Sequence, residues 1–190
     1  METTLKDCLR ENEVVCWQGL QTDFSLLDNV NRRPILVRWL ATVAMTAGVL
    51  AIYIPGKETL SSGFVGLVAL VALIMIGAPL AESWSLRQQK YWITNQRAIL
   101  MTRDRSIYSM ELRELDGFRV IRDQAEEDCV VLGRCIFPEA QSQLRWRACH
   151  PKVDVRSQSG QGQAQGMVFY SIRNAAQART LLEELAGTAA

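Results

Sequence analysis

The sequence predicts a membrane protein of the α+β class, in which a two-helix transmembrane hairpin is inserted into a small antiparallel sheet. Two apolar stretches of about twenty residues predict the helices. Seven short segments rich in apolar, aromatic and β-branched residues, several of them alternating with polar residues, predict the strands, and a terminal amphipathic pattern predicts a covering helix. We divide the chain into a cytosolic N-terminal segment with the first strand (1–33), the transmembrane hairpin (34–85) and a cytosolic domain (86–190).

The two apolar stretches cover residues 35–54 and 63–81. Each is close to the ~20 residues that a helix needs to cross a hydrocarbon core of about 30 Å. The second has no charged residue, and the first has only Arg38, near enough to its start for the side chain to reach the headgroups. Residues 55–62 have turn chemistry, which predicts a hairpin. Two buried helices of a soluble protein are disfavoured, because so short a chain leaves little protein to cover them.

Flanking charge predicts the orientation of the hairpin. Basic residues lie before or at the start of the first stretch and after the second, whereas the connecting loop has only one: Arg32, Arg33, Arg38, Arg87 and Lys90 against Lys57. The positive-inside rule therefore places both termini in the cytosol, in a protein expected to be a multi-pass protein of the inner membrane. The N-terminus lacks the basic and apolar regions of a signal peptide, so we expect it to stay in the cytosol.

Small residues lie on one face of each predicted helix: Ala44, Gly48 and Ala51 on the first, and Gly66, Ala69 and Ala72 on the second. Because small residues let transmembrane backbones approach closely, these faces are expected to pack the hairpin on itself, and homo-oligomerisation through them stays open. Pro79 is expected to kink or end the second helix. Neither stretch contains Asp, Glu, His or Lys, so the helices are interpreted as an anchor without a proton or ion pathway.

The seven predicted strands cover residues 13–19, 91–102, 106–112, 117–122, 129–132, 144–149 and 167–172. Residues 103–105 are expected to form a turn, and the polar residues 157–166 a mobile loop. Asn174 is a suitable N-cap for a helix whose apolar stripe runs to Leu185 and which ends near Gly187. Because an antiparallel sheet needs its apolar face covered, this helix is expected to cover it. The first strand precedes the hairpin, so the hairpin interrupts the sheet.

Three short motifs resemble the bacterial PH-like membrane proteins. Residues 13–19 are similar to the E-x-V-x-W-x-G stretch before the helix pair of that family, residues 91–97 to its Y-x-(I/L)-T-N-x-R motif, and residues 169–175 to its F/Y-x-I-x-N-A motif. The resemblance implies a PH-like fold, which is a strongly bent seven-stranded sheet capped by a C-terminal helix, with no general enzymatic activity. The chain departs from simpler members in an irregular segment at residues 137–142 and in the loop at 157–166.

The second motif contains Thr94, Asn95 and Arg97, which in the family recur at the first turn after the membrane. Asn tolerates left-handed backbone, and Thr and Asn side chains bond neighbouring backbone groups. A structural turn or bulge is therefore favoured over a ligand site.

The sequence contains no recognisable catalytic, cofactor-binding or metal-binding constellation. His150 is the only histidine, and the adjacent Cys149 would point to the opposite face of a strand, which disfavours a Cys–His pair. Cys129 and Cys135 lack zinc-finger spacing, and the five cysteines form no CxxC pair, which indicates reduced thiols. No phosphate-binding glycine motif is present.

Basic residues supply the candidate site, a lipid or partner surface that consists of Arg97, Arg103, Arg105, Arg145, Trp146 and Arg147. The net charge of +1 gives no reason to expect nucleic acid. The leading hypothesis is a non-catalytic membrane-anchored module that binds a protein partner or a second copy of itself, with lipids around the hairpin. The alternatives are a module that senses anionic lipids through its basic strands and, less favoured, an enzyme or transporter.

Overall fold

The computed structural model describes residues 8–19, 26–27, 31–55, 61–122, 124–125, 127–144, 155–158 and 162–188. Within these residues the chain has the α+β class. Eight strands are described: β1 (Val15–Gly19), β2 (Lys90–Thr94), β3 (Arg97–Met101), β4 (Ile107–Glu111), β5 (Phe118–Ile121), β6 (Cys129–Leu132), β7 (Val155–Ser157) and β8 (Ala164–Phe169). The α-helices are α1 (Arg32–Tyr53), α2 (Ser62–Leu86), α3 (Phe137–Leu144) and α4 (Ala175–Thr188), and short 3-10 turns lie at Leu112–Glu114 and Arg134–Ile136.

Helices α1 and α2 are the two long apolar elements of the chain. Both are long and apolar enough to cross a membrane, and only 11% and 6% of their most apolar segments are buried. A core helix of a soluble domain would instead be mostly buried. Pro79 does not end α2, which continues to Leu86. At 1.5 Å per residue, α2 is about 37 Å long and exceeds the hydrocarbon thickness.

The two helices contact each other through large side chains. The indole N–H of Trp39 donates to the carbonyl oxygen of Ile76 at 3.2 Å. At the loop end, the ring centroids of Tyr53 and Phe64 lie 4.2 Å apart, and the Tyr53 hydroxyl accepts from the backbone N–H of Ser61 at 3.3 Å. Between these contacts the helices leave an apolar cleft of about 210 Å³.

Most residues of the small-residue faces point away from this interface, although Ala72 lines the cleft between the helices. Ala44, Gly48 and Ala51 of α1 are exposed, and so are Gly66 and Ala69 of α2. A Cβ atom added at Gly48 or Gly66 would meet nothing within 4 Å. The expectation that these faces pack the hairpin on itself is therefore wrong for all of these residues except Ala72, because Trp39, Tyr53 and Phe64 make the contact.

The strands form two antiparallel sheets of four strands each, in the orders β1–β2–β3–β4 and β5–β6–β8–β7. Strand β1 pairs with β2, so that Val15 lies opposite Thr94 and Gly19 opposite Tyr91. The two long helices come between β1 and β2 in sequence. They are therefore inserted between neighbouring strands of one sheet.

The main core is built from both sheets and from α4. The ring of Phe169 in β8 lies 4.8 Å from that of Tyr91 in β2 and is stacked at 6.1 Å on Trp17 in β1. Ala178 and Leu182 of α4 are fully buried in the same cluster. As predicted, the terminal helix covers the sheets.

A second core lies on the other face of the second sheet. Val131 of β6 and Val168 of β8 point into it, together with Ala140 and Leu144 of α3. Leu86, the last residue of α2, is 2% exposed and belongs to this cluster. The end of the second long helix is therefore built into the packing of the β domain.

Four expectations about local structure are wrong. The single strand predicted over residues 91–102 is the hairpin β2–β3, whose connection is Asn95 and Gln96. Residues 137–142, expected to be irregular, lie in the helix α3, and Pro138 fits there because the first turn of a helix does not need the N–H that proline lacks. Leu144 therefore ends a helix and does not begin a strand, and residues 145–149 lie outside the described residues. The loop predicted at residues 157–166 contains the end of β7 and the start of β8.

Candidate functional site

The motifs on the two sides of the inserted helices meet in a buried ion pair. The carboxylate of Glu13 is fully buried, and the guanidinium of Arg97 is 10% exposed. Arg97 Nε lies 2.8 Å from Glu13 Oε1, and Nη2 lies 3.0 Å from Oε2. The Thr94 hydroxyl donates to Glu13 Oε1 at 2.8 Å and accepts from the Arg97 backbone N–H at 3.0 Å. The pair is bidentate, which is the strongest geometry for an Arg–carboxylate contact.

The tip of the β2–β3 hairpin is bonded to the chain that precedes β1. Asn95 Oδ1 accepts from the backbone N–H of Val14 at 3.0 Å, and its Nδ2 donates to the carbonyl of Asn12 at 3.1 Å. Arg97 Nη2 donates to the carbonyl of Cys8 at 2.7 Å. Thr94, Asn95 and Arg97 thus hold the first strand in the sheet, and these contacts support the structural interpretation of the motif.

The environment of Glu13 keeps its side chain ionised. Burial acts to raise the pKa of this carboxyl, but hydrogen bonds from Arg97, from the Arg10 backbone N–H at 2.8 Å and from Thr94 outweigh it. The net result is a pKa below the usual range. A general acid or base works best with a pKa near the operating pH and needs contact with substrate. Glu13 has neither property and acts as a structural anion.

The turn between β3 and β4, residues 102–106, lies against the end of α2. The guanidinium carbon of Arg103 is 3.4 Å from the ring centroid of Trp84, which is within cation–π range. Asp104 accepts hydrogen bonds within the turn from the Thr102 hydroxyl, and from the Ser106 hydroxyl at 2.8 Å. These bonds hold the pKa of Asp104 below its usual range. Arg103 and Arg105 are exposed.

The structure therefore divides the predicted basic surface. Arg97 is withdrawn from it, because Glu13 pairs with it in the interior. Arg103 and Arg105 stay together on one exposed turn. Arg145, Trp146 and Arg147 lie outside the described residues.

A pocket of about 530 Å³ lies at the opposite end of β2 and β3 from this turn. Its lining comes from four separate segments: Arg10, Asn95, Gln96, Glu111, Leu112, Arg113 and Leu185. Arg10 and Glu111 form an ion pair across it at 2.6 Å. Because no sequence motif joins these segments, this pocket could not be predicted from the sequence. We call it the distal pocket.

The described residues contain no group of three or more His, Cys, Asp or Glu that could hold a metal ion. Cys129 is buried, whereas Cys16 and Cys135 are exposed free thiols. Cys149 and His150 lie outside the described residues. No family model, curated protein or solved structure matches the chain. Its own geometry is therefore the basis for a functional proposal.

Proposed function

We propose that the chain is a membrane-anchored, non-catalytic PH-like module that binds a protein partner at the cytosolic face of the inner membrane. The observation that carries the proposal is the pairing of β1 with β2 across the inserted helices, locked by Glu13 and Arg97. A domain joined to both helices in this way is attached to the bilayer at two points and has little freedom to reorient. A module of this design works at the membrane surface.

The sheet arrangement supports a PH-like assignment. Strands β1–β4 follow one another as a meander, and α4 packs on a core shared by both sheets. A bent sheet capped by a C-terminal helix has the same layering. The described residues form eight strands in two sheets, one more than the seven that the resemblance implies. Under the proposed PH-like assignment, the short strand β7 is the additional one.

The distal pocket supplies the surface for a partner. It lies at the Asn95–Gln96 end of β2, whereas the long helix α2 joins the domain at the Lys90 end. Five residues of strand separate these ends by about 16 Å. A partner in the cytosol therefore reaches the pocket without meeting the bilayer.

A crosslinking experiment tests this surface. A photo-reactive amino acid replaces Gln96 in the full chain, and a control carries it at Arg119, an exposed position of β5. After illumination in native membranes, we expect one discrete adduct from position 96 and none from 119. Loss of that adduct on the charge reversal R113E would show that the pocket binds the partner. Equal crosslinking from both positions, or none from position 96, would contradict the proposal.

A labelling experiment tests the orientation separately. A cysteine placed at Ser61, next to the loop between the helices, is expected to react with a membrane-impermeant thiol reagent only from outside the cytosol. Reaction only from the cytosolic side would overturn the proposed topology.

A second candidate, sensing of anionic lipid, is favoured by one observation. Arg103 and Arg105 lie on the turn that contacts Trp84 at the end of α2. Arg97 was one of the basic residues expected to contact lipid, but it is buried in the pair with Glu13. Within the described residues, a lipid site would therefore consist of this turn.

A further inference from the structure

The length of α2 sets the level of Trp84 in a bilayer. A hydrocarbon core of about 30 Å takes up roughly twenty helical residues. Counted from Ser62, the first residue of α2, these twenty residues end near position 82, so Trp84 comes just beyond the hydrocarbon. Tryptophan favours this interfacial level. Trp84 is 50% exposed, and the guanidinium of Arg103 stacks on its indole ring.

The turn at residues 102–106 is held rigidly at this level. Leu86 fixes the end of α2 in the second core, and the register of β2 with β3 places Lys90 opposite Met101, next to the turn. Within the turn, the Thr102 backbone N–H donates to the Ser106 carbonyl at 3.0 Å, and the Arg105 N–H donates to the Thr102 carbonyl at 3.0 Å. The arginines are therefore presented by an ordered loop whose position relative to α2 is fixed.

The carboxylate of the turn is occupied by its own neighbours. Asp104 accepts from the side chains of Thr102 and Ser106, and the guanidinium of Arg103 lies over the indole of Trp84. Neither Arg105 nor Lys90 forms an ion pair with a carboxylate in the described part of the chain. Cationic groups beside an interfacial tryptophan match the chemistry of an anionic phospholipid headgroup.

We propose that Trp84, Lys90, Arg103 and Arg105 form a contact site for the headgroup of an anionic phospholipid. The site rests on the proposed membrane anchoring and adds a ligand class to it. Arg103 is held against the indole, and positive charge is added nearby by Arg105 on the same turn and by Lys90, which pairs with Met101 next to the turn. The site holds the β domain at a fixed height and angle on anionic membrane.

The test uses the full chain in nanodiscs of phosphatidylcholine and phosphatidylglycerol at 3:1. Lipids that remain bound after transfer to mild detergent are counted by native mass spectrometry. We expect phosphatidylglycerol to be enriched over its bulk share. The double variant R103Q/R105Q is expected to lower the ratio of bound phosphatidylglycerol to bound phosphatidylcholine by about fivefold for each arginine removed. The variant R113Q removes the same charge at the distal pocket and is expected to keep the enrichment.

Several results would overturn the site. Equal enrichment in the native chain and in R103Q/R105Q would do so, as would an equal loss in R113Q. Displacement of the lipid by millimolar inorganic phosphate would show that this site binds free phosphate instead of a lipid headgroup. Carbonate extraction of the same membranes separates this failure from failure of the anchor, because a chain that stays in the membrane without enrichment retains the anchor and lacks the site. A chain released by carbonate lacks both.

Discussion

The substitution E13Q tests the lock between the two halves of the first sheet. Glu13 is fully buried and accepts from Arg97 through both carboxylate oxygens. Glutamine keeps the size of the side chain but removes its charge, so the Arg97 guanidinium is left inside the protein without an anion. An unpaired buried charge is among the costliest defects in a folded domain.

The size of the effect follows from this burial. Removing one partner of a buried pair costs about 3–5 kcal/mol. Because the amide oxygen of glutamine can still accept one hydrogen bond, we expect E13Q to cost about 3 kcal/mol. At roughly 2–4 °C per kcal/mol for a chain of this size, the melting temperature is expected to fall by about 6–12 °C. Thermal unfolding in detergent, followed by near-ultraviolet circular dichroism, measures this shift through the buried aromatic core.

The matched control is E111Q. Glu111 pairs with Arg10 at 2.6 Å, but the two side chains are 27% and 51% exposed, and exposed pairs contribute about 0–1 kcal/mol.

Lowering the pH adds a second test of the Glu13–Arg97 pair. Because the pKa of Glu13 is lower in the folded chain, its stabilisation is present above about pH 4.3 and is lost as the pH falls further. The difference in melting temperature between the native chain and E13Q should therefore become smaller as the pH is lowered from 6 to 3. Equal losses in E13Q and E111Q at pH 7 would refute the reasoning.

Three further predictions concern packing and access. The substitution L86A opens a cavity where α2 enters the second core and is expected to cost about 2–5 kcal/mol in thermal unfolding, whereas L80A, at a residue 54% exposed, should cost little. The substitution G133A is expected to destabilise by more than about 2 kcal/mol, because the backbone φ is +90° and the new Cβ would lie 2.3 Å from a carbonyl oxygen; a neutral result in chemical unfolding would contradict this. In the native fold, Cys16 should react with a thiol reagent and Cys129 should react only on unfolding, as timed labelling with mass spectrometry can show.

Local patterns in the sequence were enough to predict much of the fold. The composition of residues 35–54 and 63–81 is itself what makes a long apolar helix, and α1 and α2 cover those stretches. The stripe after Asn174 likewise predicted α4, whose Ala178 and Leu182 are fully buried. Each of these elements depends on the period of its own residues, which a single sequence contains in full.

The errors arise where distant residues decide the local structure. Residues 94–97 are polar but contain no glycine or proline, so the reversal at Asn95 has only a weak local signal: a turn or bulge was favoured at this motif, yet residues 91–102 were still predicted as one strand. The reversal is stabilised by bonds to Glu13 and Val14, about eighty residues away in sequence. The same separation in sequence explains why Arg97 was wrongly included in the candidate surface. The residues next to Arg97 in sequence give no sign that Glu13 neutralises its charge in the interior. The helix α3 is different, since Pro138 in its first turn was a usable local signal.

The insertion makes the sheet depend on the membrane topology of the hairpin. Strand β1 is made before α1, and its partner β2 comes only after α2, so the Glu13–Arg97 pair closes a loop of 84 residues. In a bilayer, β1 and β2 lie on the same side only when both helices cross or neither does. A chain with one helix inserted would leave Glu13 and Arg97 on opposite sides of the membrane, each without its partner. The buried pair is therefore compatible with a hairpin in which both helices cross a bilayer or neither does, and it excludes an arrangement in which only one helix crosses.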